Sequence, residues 1–160
     1  MTNVSKKIDV FGIGLPRTGT TSLSEALSML GYSGTHSCSI FGSKDGGTGA
    51  SGLYLVDNQL YADINRVVLE NKKSKFILTT RDDCEWRDSI DSFSLSGLPS
   101  PSEYGELVSG LFAANKLENL LIINFQLNSD IDNWNQICSF LKKSVPSENF
   151  PCVRNLKRQG

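Results

Sequence analysis

The stretch Gly12-Ile13-Gly14-Leu15-Pro16-Arg17-Thr18-Gly19-Thr20-Thr21-Ser22 places the tightest limit on what this chain can fold into. An apolar run from Ile8 to Ile13 enters it, and a helical pattern (Leu23, Ala26, Leu27, Leu30) leaves it. A strand that turns through glycines into a helix gathers backbone N–H groups in one concavity, at the positive end of the helix dipole. Such a turn is an anion site, and phosphate is its commonest guest. Gly14 and Gly19 have the spacing of a nucleotide-triphosphate P-loop, but Thr20 stands where that motif carries lysine. The only cation inside the turn is Arg17. The loop reads as a phosphate cradle poorly suited to a γ-phosphate.

The rest of the chain alternates strand and helix patterns. Ile8–Gly14, Lys75–Thr80 and Asn119–Phe125 read as strands, the first an almost continuous apolar run that suits a central position in a parallel sheet. The first helix opens on Thr20, Thr21 and Ser22, all capping types, and stops at Gly31. Further helices are predicted over Asp57–Asn71, Asp83–Ser96, Glu103–Lys116 and Asp130–Lys143, with Gly97–Ser102 as a break. Ser33–Ile40 is ambiguous. Glycine and serine over 42–52 predict a mobile loop, and residues 144–160 an irregular tail ending in Arg154, Lys157 and Arg158. This pattern predicts one α/β domain over residues 1–160, a three-layer arrangement with a parallel sheet flanked by helices, as in P-loop NTPases.

From Gly14 to Tyr32 the sequence resembles the start of the sulfotransferase superfamily, in the branch whose loop reads Pro-Arg-Thr-Gly-Thr-Thr-Ser-Leu. Lys75-Phe76-Ile77-Leu78-Thr79-Thr80-Arg81-Asp82 resembles that family's second strand, and Phe150-Pro151 with Asn155 its C-terminal close. The resemblance implies that Pro16, Arg17, Thr18, Gly19, Thr20, Thr21 and Ser22 hold the 5′-phosphosulfate of 3′-phosphoadenosine-5′-phosphosulfate (PAPS). It implies that Arg81, and Ser89 eight residues later, bind the 3′-phosphate, leaving 3′-phosphoadenosine-5′-phosphate (PAP) as product. Plain chemistry supports this: an arginine at the carboxyl end of a parallel strand faces the ligand crevice with a planar fork suited to phosphate. A salt bridge from Arg81 to Asp82, Asp83 or Glu85 is the simpler alternative. Trp86 is either an adenine wall or core.

The implied reaction is in-line sulfuryl transfer to a hydroxyl or amine, with Arg17 stabilising the leaving group. His36, the only histidine, and Asp57 are both candidates for the base that deprotonates the acceptor. The acceptor is expected to be a small molecule, a glycan or a lipid. The chain is shorter than usual members, chiefly after His36 and between Ser96 and Glu103, where the family shapes its acceptor pocket.

Two other classes remain: a P-loop kinase or NTPase, with Asp82 or Asp83 holding Mg²⁺, and a non-catalytic nucleotide-binding relative. A net charge of −1 gives no reason to expect a nucleic-acid or membrane partner. One histidine and four scattered cysteines offer no ligand cluster, so no metal is expected. No secretory signal or membrane-length apolar run is visible, and the expected address is cytoplasmic with reduced thiols.

Overall fold

The computed structural model describes residues 7–38, 42–46, 49–92 and 97–151. In chain order the elements are β1 (Val10–Gly12), α1 (Thr20–Met29), β2 (Tyr32–Cys38), β3 (Gly42–Gly46), β4 (Gly52–Asp57), a 3₁₀ turn (Leu60–Asp63), α2 (Ile64–Glu70), β5 (Lys75–Thr79), α3 (Asp83–Ser92), α4 (Pro101–Ala114), β6 (Leu120–Ile123) and α5 (Asp130–Leu141). The strands form one sheet in the order β3-β2-β4-β1-β5-β6. All neighbours pair parallel except β3, which runs antiparallel to β2 at the edge.

Strand alternation splits the core into two faces. Val10, Tyr54, Val56, Ile77 and Ile123 pack on Leu23 and Leu27 of α1 and on Trp134, Ile137 and Leu141 of α5. On the other face, Phe11, Phe76 and Leu78 meet Ile64 and Val68 of α2, Trp86 and Ile90 of α3, and Tyr104, Val108 and Phe112 of α4. This is the three-layer α/β architecture expected from the alternating pattern. Phe11 and Phe76 stack across β1 and β5 with centroids 5.2 Å apart. Each fully buried ring contributes about 1.5–3 kcal/mol.

The chain leaves β1 toward β2 and β4 on one side, and later crosses to β5 on the other. The carboxyl ends of β1 and β5 therefore flank a topological switch point, where open α/β sheets bind ligands. Among the described residues no helix is long and apolar enough to cross a membrane.

Several local expectations are corrected. The loop expected over 42–52 contains a strand: β3 pairs with β2 from Gly34↔Gly46 to Cys38↔Gly42, and β4 begins at Gly52. Glycine disfavours strand weakly, whereas the open edge of β2 offers a whole row of backbone partners. β4 itself, buried through Tyr54 and Val56 beside β1, had no sequence assignment over Leu53–Val56. Asp57 closes that strand, and its carboxylate accepts from the Gln59 N–H at 2.9 Å, so helix α2 starts only at Ile64.

The break expected over Gly97–Ser102 ends earlier, because Ser100 caps α4. Its hydroxyl accepts from Glu103 N–H at 3.1 Å, and the Glu103 carboxylate accepts from Ser100 N–H at 3.1 Å. Pro101 fits the first turn, where its missing N–H would have no partner anyway. Ser100→Ala is expected to lower stability by about 1 kcal/mol, read in thermal melts as a fall of about 2–4 °C. Leu107 and Ile131 are apolar positions of α4 and α5 that stay exposed. In the tail, Phe150 is buried against Trp134 and Phe125. The expectations at Phe93–Ser96, Cys152, Arg154, Asn155, Lys157 and Arg158 lie outside the described residues.

Candidate functional site

The glycine turn leaves β1 at the sheet's carboxyl edge and is held there by bonds to its carbonyl groups. The Tyr104 hydroxyl donates to Ile13 O at 2.7 Å. Thr18 Oγ1 donates to Leu15 O at 2.7 Å. The Trp86 indole N–H donates to Pro16 O at 2.8 Å, and Arg81 Nη1 donates to Arg17 O at 3.2 Å. Burial pushes the Tyr104 hydroxyl's pKa well above its ordinary range, so it stays protonated and remains a donor.

Two glycines make this path possible. A Cβ on Gly14 would collide with Thr79 Oγ1 and would lie 2.7 Å from Thr18 Oγ1 and 2.8 Å from Thr79 O. The close approach puts Thr18 Oγ1 and Thr79 Oγ1 2.8 Å apart. Thr18 spends its proton on Leu15 O, so Thr79 donates to Thr18. Gly19 has φ of 102°, and its Cβ position lies 2.9 Å from the Phe125 ring.

Gly19 is also the N-cap of α1, and no side chain caps that helix. Thr20, Thr21 and Ser22 stand inside the helix rather than before it, which corrects their reading as caps. With no acidic residue in the first turn, the positive end of α1 has no countercharge of its own. Thr18, Thr20 and Ser22 are buried, while Arg17 and Thr21 are partly exposed.

Arg17 sits at φ 67°, a left-handed conformation disfavoured for any residue with a Cβ. Its Nε donates to Ser89 Oγ at 2.9 Å. Arg81, besides reaching Arg17 O, donates through Nε to Gln126 Oε1 at 3.2 Å. Glu85 stands 3.9 Å from that nitrogen on an exposed side chain, so the ion pair is weak. Asp82 accepts from the N–H groups of Cys84 and Glu85, and Asp83 accepts from Ser102 N–H. Both aspartates thus serve helix starts.

The residues read from the sequence as two separate anion pockets are therefore contiguous. Arg17, Arg81 and Ser89 form one bonded group between the turn and α3. Ser89 is fully buried beneath the Arg17 guanidinium. Trp86 is buried and braces the loop, so it is core rather than an exposed adenine wall.

The two base candidates stand apart from this group. His36 is buried in β2, in register with Val56, which is in register with Gly12. Two strand spacings put it roughly 10 Å across the sheet from β1. Asp57 is nearer, at the carboxyl end of the strand beside β1, and partly exposed. Among the described residues, no three His, Cys, Asp or Glu side chains gather as a metal site.

Thr79, Gln126, Phe125 and Tyr104 are not among the site residues that the sequence nominates. Gln126 and Phe125 follow the carboxyl end of β6, the same rim that carries Arg81, and that position was the available signal. A tyrosine in an apolar stripe also carries a hydroxyl that needs a partner when buried.

The donor set fits an anionic ligand with more than one phosphate or sulfate group: an uncapped helix start, two guanidinium groups and the partly exposed Thr21, with Ser89 buried beneath Arg17. No curated protein matches the sequence significantly. A family model described as a sulfotransferase domain matches residues 9–51. That span covers β1, the glycine turn, α1 and the strands β2 and β3. The match spans well under half of the chain, and it is a likeness of that amino-terminal part to sulfotransferase domains; the parallel sheet that this part begins is compatible with it.

Proposed function

We propose that this protein transfers a sulfuryl group from PAPS to a hydroxyl or amine acceptor, a small molecule, glycan or lipid. The observation that carries this reading is the bonded group of Arg17, Arg81 and Ser89 at the switch point, beside the uncapped start of α1. The sulfotransferase match supports sulfuryl transfer in general. The donor and the residue roles are our own reading.

PAPS supplies an activated sulfur whose bond to the bridging phosphate oxygen breaks as the acceptor oxygen or nitrogen attacks from the opposite side. The electron pair of that bond stays with the 5′-phosphate, and PAP departs. The protein's part is positioning and charge stabilisation. The N–H groups at the start of α1 and the Arg17 guanidinium face the charge that builds on the leaving oxygen. Arg17 neutralises that charge without giving up a proton, since a guanidinium stays protonated in proteins. Arg81 and Ser89 take the 3′-phosphate. Ser89 becomes accessible to a ligand when the Arg17 side chain swings off it, because its hydroxyl lies beneath that guanidinium. Asp57 is our preferred base, from its place at the carboxyl end of the strand next to β1; His36 is walled into the sheet.

Titration calorimetry with PAP tests this reading. PAP should bind without Mg²⁺, and Arg81→Gln should weaken it by about tenfold or more, as expected for losing a charge-assisted phosphate contact. Mg²⁺-dependent ATP binding in place of PAP binding would move the protein to the kinase class. PAP binding with no transfer to any acceptor would leave a nucleotide-binding relative without activity.

A further inference from the structure

The side chains most exposed to an anion are not the ones that shape the loop. A trans peptide is planar, so fixing its C=O on one side fixes the next residue's N–H on the other. Pro16 O is held by the Trp86 indole, and Ile13 O by the Tyr104 hydroxyl. Those two bonds therefore orient the N–H groups of Arg17 and Gly14. Both donors come from the helices behind the loop, α3 and α4, and both are nearly inaccessible to solvent. Neither can touch a ligand.

We propose that Trp86 and Tyr104 are positioning residues: they turn the peptides before Arg17 and Gly14 so that their N–H groups face a bound phosphate or sulfate. Arg17 makes the need plain. Its φ of 67° is unfavourable for arginine, and the carbonyl on either side of it is held, Pro16 O by Trp86 and Arg17 O by Arg81. Without the indole bond the peptide between Pro16 and Arg17 is free to flip, which would present a carbonyl where an anion should sit. Tyr104 acts in the same way one turn earlier and independently, from a different helix. The inference rests on the loop binding a phosphate or sulfate group, the part of the proposed function that does not depend on the adenosine.

Inorganic pyrophosphate and PAP serve as separate probes, followed by backbone amide NMR and calorimetry. Trp86→Phe and Tyr104→Phe each keep an aromatic ring and remove one donor. In the wild type the amide resonances of Gly14, Arg17 and Thr20–Ser22 should move on adding pyrophosphate. In Trp86→Phe the Arg17 response should be lost while those of Thr20–Ser22 persist, and in Tyr104→Phe the Gly14 response should be the one lost. Affinity for pyrophosphate should fall by about tenfold in each, the order expected for one N–H donor to a charged acceptor. General loosening of the fold would instead blunt all five amides together.

Wild-type affinity and responses in both variants, or an even loss at all five amides, would overturn the positioning role. Pyrophosphate binding without PAP binding would sink the PAPS reading and leave this inference standing. Failure of the wild type to bind either probe would overturn both.

Discussion

Arg17→Ala is expected to lower sulfuryl transfer by about 10²-fold or more, the loss seen when a transition-state donor is removed. The measurement is sulfate release from PAPS with water as acceptor, which needs no knowledge of the natural one. Arg17 is the only cation the turn supplies, and the start of α1 brings partial charge alone. Stability should change far less than turnover. The left-handed conformation at this position is as unfavourable for alanine as for arginine, so the substitution neither relieves nor adds backbone strain. Folding loses the bond to Ser89 among its contacts, a contribution of about 1–2 kcal/mol. Arg17→Lys should recover part of the rate, because it restores the charge but not the planar fork. Near-normal turnover in the alanine variant would remove Arg17 from the mechanism.

Gly14→Ala should damage the fold and the site together. The added methyl would meet the Thr79 hydroxyl and would stand 2.8 Å from the Thr79 carbonyl oxygen, which belongs to the β5 backbone and has nowhere to go. To make room, β1 and β5 must part or the turn must lift, and either movement separates Thr18 from Thr79. Overpacking together with a broken buried hydrogen bond amounts to about 2–4 kcal/mol. For a chain of this size that is a fall in melting temperature of about 4–16 °C. PAP affinity should fall in parallel, since the lifted turn carries the N–H groups with it. A melting temperature within a degree of wild type would mean that the turn does not approach β5 as closely as described.

How much of this was visible beforehand varied with how local the cause was. β1, β5 and β6 were legible because each is a short apolar run; β1 and β5 are buried on both faces, while β6, at the sheet edge, leaves Ile122 exposed. β4 was not, because Leu53–Val56 is short and sits behind a glycine-rich stretch whose local preference is for turn. Only its place between β1 and β2 makes it a strand. The same holds for β3, whose residues pair because β2 presents an unpaired edge. The start of α4 was a different kind of miss: the Ser100-Pro101-Ser102-Glu103 cap is a local signal, and proline was weighed as a breaker where it opens a helix.

Residue order alone was enough to place a glycine turn between β1 and α1, since glycine spacing and the strand-to-helix change of period act within a dozen positions. Arg17 stood out as the turn's own cation, whereas Arg81 and Ser89 were nominated by the resemblance to sulfotransferases, with the strand end and helix spacing in support. Packing settled what those residues do to one another. The bonds Arg17–Ser89, Trp86–Pro16 and Tyr104–Ile13 join positions 70 or more residues apart. No local preference encodes such pairs; they exist because two core faces bring α3 and α4 against the turn, where buried carbonyl groups must find donors.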